Sequence, residues 1–200
     1  FVDIAGLVKG AWKGEGLGNK FLAHIREVDA IIHLVRCFES DKITHVNSNI
    51  NPVEDLETIK TEIILSDLDI IQKKLEKGKK KLLQEKEIKI LEEKLKLLNA
   101  GNEVSINDEY EKKFLTTLGL LSIKPKIIVC NVDEESLATG NTFTEDVKRK
   151  YNDEKIVTIC ADIEDQIMGL DKNERETFMK EIGLNKTGLN QLIKEGYDLL

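Results

Sequence analysis

The chain is poor in the residues that announce several common protein classes. It has three cysteines, Cys37, Cys130 and Cys160, far apart and set in or beside apolar runs. An odd number at that spacing excludes a disulfide framework and offers no CxxC-type metal clip, so the three read as reduced thiols. No apolar stretch approaches the roughly 18 to 20 residues of a membrane span, and no signal-peptide pattern opens the chain. A cytoplasmic protein with no membrane partner is the expectation. Excess positive charge is missing as well. The 30 Lys and Arg against 37 Asp and Glu leave a net charge of -7, which argues against nucleic-acid binding through overall charge, because neutralising phosphates takes clustered cations. Aromatic residues make up only 5% and charged residues 34%. Much of the chain is therefore expected to be solvated helix beside an uneven core, while the 40% apolar share suffices for one domain, or one domain with an insertion.

Three runs, "AIIHLVRCF" (30–38), "PKIIVCNV" (125–132) and "KIVTICA" (155–161), are rich in Val and Ile and too continuous for strands with one wet face. They predict buried parallel strands, with Phe1-Val2 as the tail of a fourth. Between that tail and Ala30, "NKFLAHIREVD" places Phe21, Leu22, Ile25 and Val28 at helical spacing. Strand, helix, strand is the unit of a parallel α/β sheet. From Pro52, a first-turn proline, to about Ala100 the chain is charged and nearly free of breakers. Leu68, Ile71, Leu75 and Leu82 fall on one seam, and Ile88, Leu91, Leu95 and Leu98 on another, out of phase across residues 78–87. Two long helices folding back on each other are predicted, with the lysine-rich "KKLEKGKKK" (73–81) at the tip and a third helix over about 107–121. Such a hairpin is most simply a solvated spacer. The lysines leave open a lever whose tip touches an acidic surface such as RNA.

In an open parallel sheet, ligands sit outside the carboxyl ends of the strands. Asp3 follows the first apolar pair, Asn131 and Glu134 follow the second long run, and Cys160-Ala161-Asp162 follows the third. A lone DxxG such as Asp3 to Gly6 is more often a cap and turn than a site, and the same holds for "NVDE". Their order, DxxG then NxxE then a small-residue loop, is that of a G-domain. An acidic residue at a strand end can hold Mg²⁺ through water beside the β- and γ-phosphates, which makes Asp3 the metal candidate. Gly6 lets a main-chain N–H approach a terminal phosphate, so that loss of the phosphate releases the glycine-rich loop behind it (Gly10, Gly14, Gly16, Gly18). Leu7 stands where many GTPases orient the attacking water with Gln, and a leucine cannot do so. Slow hydrolysis is expected, with no catalytic residue assigned. Guanine-specific enzymes take the two ring-edge donors of the base on an Asp carboxylate. Here Glu134 is one methylene longer and Val132 replaces the usual stacking Lys, so adenine is the expected base and guanine the alternative.

The segments "VDIAGLVKGAWKGEGLGNKFLAHIREVDAIIHLVRCFE", "NPVEDLETIKTEIILSDLDII", "KPKIIVCNVDE" and "ICADIEDQI" closely resemble the YchF subfamily of Obg-like ATPases, among the translation-factor-related P-loop NTPases. The resemblance implies an α/β fold: a partial P-loop NTPase G-domain with a parallel sheet, interrupted by an antiparallel α-helical coiled-coil hairpin. Residues 1–46 and 123–185 would form the nucleotide-binding domain, 47–122 the insertion, and 186–200 a helix leading toward a TGS domain. It further implies a nucleotide-dependent switch that binds and hydrolyses ATP, with GTP as the alternative, uses Mg²⁺ and associates with ribosomes or the translation machinery; RNA is a further candidate partner. Carried over by motif, Asp3 and Gly6 match the third G-domain motif, Leu7 the hydrophobic replacement of the catalytic Gln, Asn131, Val132 and Glu134 the altered base-recognition motif, and Cys160, Ala161 and Asp162 the fifth. The P-loop and first switch would precede residue 1 and the TGS domain would follow residue 200. The chain is then expected to be a fragment that by itself binds nucleotide poorly. A ribosome- or RNA-binding module with incidental hydrolysis is the competing expectation.

Overall fold

The computed structural model describes residues 1–3, 22, 24–40, 49–78 and 83–200. The chain divides into two units, Phe1–Asp29 with Glu57–Lys124 and Ala30–Leu56 with Pro125–Leu200. The first is helical: α1 (Pro52–Gly78), whose first turn counts with the second unit, α2 (Glu85–Asn99) and α3 (Glu109–Thr117). Pro52 sits where its missing N–H costs nothing, and the Asn51 side chain accepts the Glu54 amide at 3.1 Å. Ile71 and Leu75 of α1 and Leu91 and Leu98 of α2 are buried in one cluster with Leu115 of α3, while Leu68, Ile88 and Leu95 pack against it half-buried. The seams read from the sequence are thus the faces the helices bury. Leu82 and Lys79 to Lys81 lie outside the described residues. The third helix is shorter than its predicted span. Asp108 caps it by accepting the Glu111 amide at 2.7 Å, and Gly119, at φ 67°, ends it in a backbone conformation that side chains disfavour.

Two buried polar groups tie this unit together. Lys94 is 0% exposed, and its Nζ meets Glu111 Oε1 at 2.8 Å and Glu93 Oε1 at 3.0 Å. Burial pulls the ammonium pKa down, but the bonds to Glu111 and Glu93 and their charges outweigh it, and the net direction is upward. Asp67, also fully buried, accepts the Leu121 and Ser122 amides at 2.8 Å each and the Ser122 hydroxyl at 2.6 Å. Burial raises its carboxyl above the ordinary value, against the pull of those donors and of the Arg26 charge.

In the second unit, β1 (Ile31–Arg36), β2 (Lys126–Asn131) and β3 (Lys155–Ile159) form a parallel sheet in that order. The register aligns Val35 with Cys130 and Cys130 with Thr158. One face buries Val35, Ile128 and Cys130 against α4 (Thr142–Lys150), α5 (Ala161–Gly169) and half-buried Phe178 and Met179 of α6 (Lys172–Glu181). The other buries Ile127, Val129 and Val157 against Leu192 and Leu199 of α7 (Gly188–Leu199). β2 is therefore apolar from Ile127 to Cys130 because both of its faces are covered there.

Two expectations need correction. β1 is not buried on both faces: Ile32 is 37% and Leu34 60% exposed. The register puts them level with Ile127 and Val129, on the face that α7 covers over β2 and β3. The Glu195–Lys155 ion pair at 2.6 Å ties α7 to the β3 side of the sheet. Phe1 and Val2 are not the tail of a strand; they belong to no strand and lie exposed at 81% and 75%. An apolar pair signals a strand only where a ladder takes up its backbone groups.

Candidate nucleotide-base site

β2 ends at the polar Asn131, β3 ends at Ile159 and runs into Cys160-Ala161-Asp162, and β1 stops one residue before Cys37. Backbone bonds continue past the strand ends: Cys37 N donates to Asn131 O at 2.7 Å and Val132 N to Ile159 O at 2.8 Å. The Asn131 side chain extends the line, its Oδ1 accepting the Ala161 amide at 3.0 Å. A backbone N–H demands an oxygen, so this bond fixes the orientation of the Asn131 amide and makes Nδ2 its remaining donor. The "NVDE" and "CAD" segments, about thirty residues apart in sequence, thereby meet at one rim of the sheet, within the second unit.

The rim is shaped by local turn chemistry. Asp133 Oδ1 accepts the Ser136 amide at 2.9 Å, Glu134 O accepts Leu137 N at 3.2 Å, and Ser136 O accepts Gly140 N at 2.8 Å. These bonds fold 133–140 into a tight turn that leaves Glu134 exposed. Val132, 2% exposed, points into the core, so a ligand at the rim meets its backbone rather than its side chain. Asn141 closes the turn. Its Oδ1 accepts Thr144 N at 3.0 Å as the cap of α4, and its Nδ2 donates to Cys37 O at 2.7 Å and Ser136 Oγ at 3.2 Å.

On the far side, Cys160 is buried and caps α5, with Ala161 and Asp162 exposed. Burial raises the Cys160 thiol, opposed by the Ile163 and Asp162 amides that reach its sulfur, while the charges of Asp162 and Glu134 add to the rise. Of the amides at the start of α5, that of Ala161 is engaged by Asn131. Cys37 and Cys130 share a thiol hydrogen bond that, with burial, pushes Cys37 up, while the same bond holds Cys130 down. Both are fully buried and belong to the core.

Asp3, the candidate metal residue, is an exposed carboxylate in the first unit. Gly6, Leu7 and the glycines at 10, 14, 16 and 18 lie outside the described residues. Among the described residues no group of three or more His, Cys, Asp or Glu is placed to hold a metal ion, and no helix is long and apolar enough to cross a membrane. A single carboxylate fits a magnesium ion that takes most of its ligands from water and phosphates. Sequence reading missed Asn141 and the backbone of Cys37. The only sequence signal for the first was an Asn in front of a short helical run, and a backbone contribution has no residue-type signal at all.

Residues 1–73 match the family described as 50S ribosome-binding GTPase. The chain is 40% identical over its whole length to the ribosome-binding ATPase YchF of Bacillus subtilis and 44% identical to that of Pasteurella multocida. It spans 58% and 57% of those proteins. The structure of the Schizosaccharomyces pombe YchF GTPase aligns with 98% of the chain at a TM-score of 0.83 and 28% identity, over 56% of its own length. With identity at this level running the full length of the chain, and the parallel sheet shared with a solved relative, the chain belongs to the YchF subfamily of the Obg-like P-loop NTPases.

Proposed function

We propose that the intact protein is a nucleotide-dependent switch that binds and hydrolyses ATP with Mg²⁺ and associates with ribosomes in the cytoplasm. The observation that carries this reading is the Asn131–Ala161 bond, which joins the two base-side motifs into one rim with Glu134 beside it. Asn131, the Val132 backbone, Glu134 and the Cys160-Ala161-Asp162 turn would hold the base. Asp3 would hold magnesium through water, and Gly6 would sense the terminal phosphate. The relatives' printed names, ribosome-binding ATPase, support the activity and the partner.

Adenine suits the site better than guanine, because a glutamate one methylene longer than the usual aspartate does not sit square to the two guanine donors. The S. pombe relative's name, GTPase, and the description of the family matching residues 1–73 favour the opposite preference. Competition between ATP and GTP for the intact protein decides between them: ATP should win, and GTP that displaces it at equal concentration would overturn the adenine reading. Residues 1–200 alone are expected to bind Mg-ATP weakly by calorimetry. The helical hairpin would act as a lever toward the ribosome, with Lys77 and its lysine neighbours at its tip. Neutralising them should reduce salt-sensitive ribosome pull-down while leaving ATP turnover intact; a binding module with incidental hydrolysis would lose its partner and with it its main function.

A further inference from the structure

Asn141 stands outside every motif assigned so far, yet its side chain makes three bonds to three different segments. Oδ1 caps α4, one Nδ2 bond reaches the carbonyl of Cys37 beyond β1, and the other reaches Ser136 in the turn that carries Glu134. Capping α4 needs only the oxygen, and a serine or aspartate would serve equally. The two Nδ2 bonds are therefore surplus to the helix. They close a line across the strand ends: Asn141 Nδ2 to Cys37 O, Cys37 N to Asn131 O, and Asn131 Oδ1 from Ala161 N. The first link joins the start of α4 to the end of β1 and the other two join neighbouring strand ends, so a shift of the 133–140 turn is passed to the Asn131 backbone.

We propose that Asn141 is a positioning residue for base recognition, holding Glu134 and Asn131 in register through its clamp on Ser136 and Cys37. This inference rests on the base-site reading above. The turn has its own internal bonds from Asp133 and Ser136, but these fix its shape and not its position against β1. Beside the packing of Leu137 against the core, the Asn141 side chain supplies that second kind of restraint among the described residues, through its hydrogen bonds to Cys37 and Ser136. An exposed glutamate on a turn that can rock would lose discrimination between purines before it lost binding, because base selection depends on the angle of the carboxylate and not only on its charge.

The test uses the intact protein and compares Asn141→Ser, which keeps the cap and deletes both clamp donors, with Ser136→Ala, which deletes one acceptor, and Glu134→Gln, which alters the base contact itself. Net hydrogen-bond strengths imply that N141S raises the KM for ATP about 5- to 10-fold and S136A about 2- to 3-fold. For N141S, kcat at saturation should stay within about twofold, the ATP-to-GTP preference should move toward unity, and affinity for inorganic tripolyphosphate, which has no base, should not change. If N141S lowers only the melting temperature and leaves KM and the purine preference untouched while E134Q changes them, Asn141 merely caps a helix and the positioning role is wrong. If E134Q also leaves the purine preference unchanged, the base is not read at this rim and both proposals fall. Should N141S not fold, S136A alone decides: an unchanged purine preference overturns the clamp.

Discussion

Replacing Lys94 with Met should be the most costly single change in the helical unit. The lysine is fully buried between Glu111, itself only 3% exposed, and Glu93. Methionine fills nearly the same volume, so packing loss is small, but it leaves the Glu111 carboxylate buried without its counter-charge. Removing one partner of a buried pair costs about 3–5 kcal/mol, against a total stability of roughly 5–15 kcal/mol. With a urea slope of about 2 kcal/mol per molar, the midpoint for helix loss should fall by about 1.5–2.5 M. The matched control is Lys89→Met, whose pair with Glu85 at 2.8 Å is largely exposed on both sides and should cost less than about 0.5 kcal/mol. Adding Glu111→Leu to the Lys94 variant removes the orphaned charge and should recover part of the loss. There is a pH signature too. The Lys94 pKa is raised on folding, so its contribution is complete at neutral pH and is lost as pH rises above the ordinary lysine value of 10.5. K94M should flatten that alkaline slope. Circular dichroism during urea titration reads both. If K94M and K89M shift the midpoint equally, or E111L adds to the loss in K94M, the buried charge is not what the pair compensates.

Asp67 gives a second stability test with the same sign of pH dependence, in the acid range. Its pKa is raised from 3.8 chiefly by burial, so folding is favoured by the protonated form; stability should fall as pH rises from the unfolded carboxyl value through the folded one and be level above it. Asp67→Asn should remove that slope and cost about 1–2 kcal/mol at neutral pH by mismatching one of the three donors, measured by thermal melts between pH 3 and 7; a melt profile identical to the parent's would remove Asp67 from this role. On the sheet, Leu34→Thr should change stability by no more than about 0.5 kcal/mol because the side chain is mostly solvated already, whereas Val129→Ala, buried between β2's neighbours and α7, should cost about 2 kcal/mol. Equal costs in urea melts would mean that β1 is covered as deeply as β2.

The parts of the fold that were legible in the sequence are those in which residue type and environment coincide. β2 reads as a strand buried on both sides because Ile127 to Cys130 are in fact covered on both sides. The two long helices are legible because their apolar seams recur at helical spacing and their breakers fall at Asn51, near Gly78 and after Asn99. The same reasoning failed for β1, whose composition matches that of β2 although α7 packs over β2 and β3 instead. It failed for Phe1-Val2, since two apolar residues carry no information about a backbone partner. Within the candidate site, spacing and order single out the motif residues Asn131, Glu134 and Cys160 to Asp162. Their meeting could not, and neither could the retreat of Val132 into the core.

What the sequence determined by itself was the alphabet of elements and the residue types at strand ends, because periodicity, caps and turn formers act over a few neighbouring residues. Only the tertiary structure decided which strand face stays open, which buried charges compensate one another, and that Asn141, Cys37, Asn131 and Ala161 line up across three strand ends. Those outcomes depend on register and on which helix lands over which strand, and hydrogen bonds of one backbone to another leave no mark on the identity of the residues that make them.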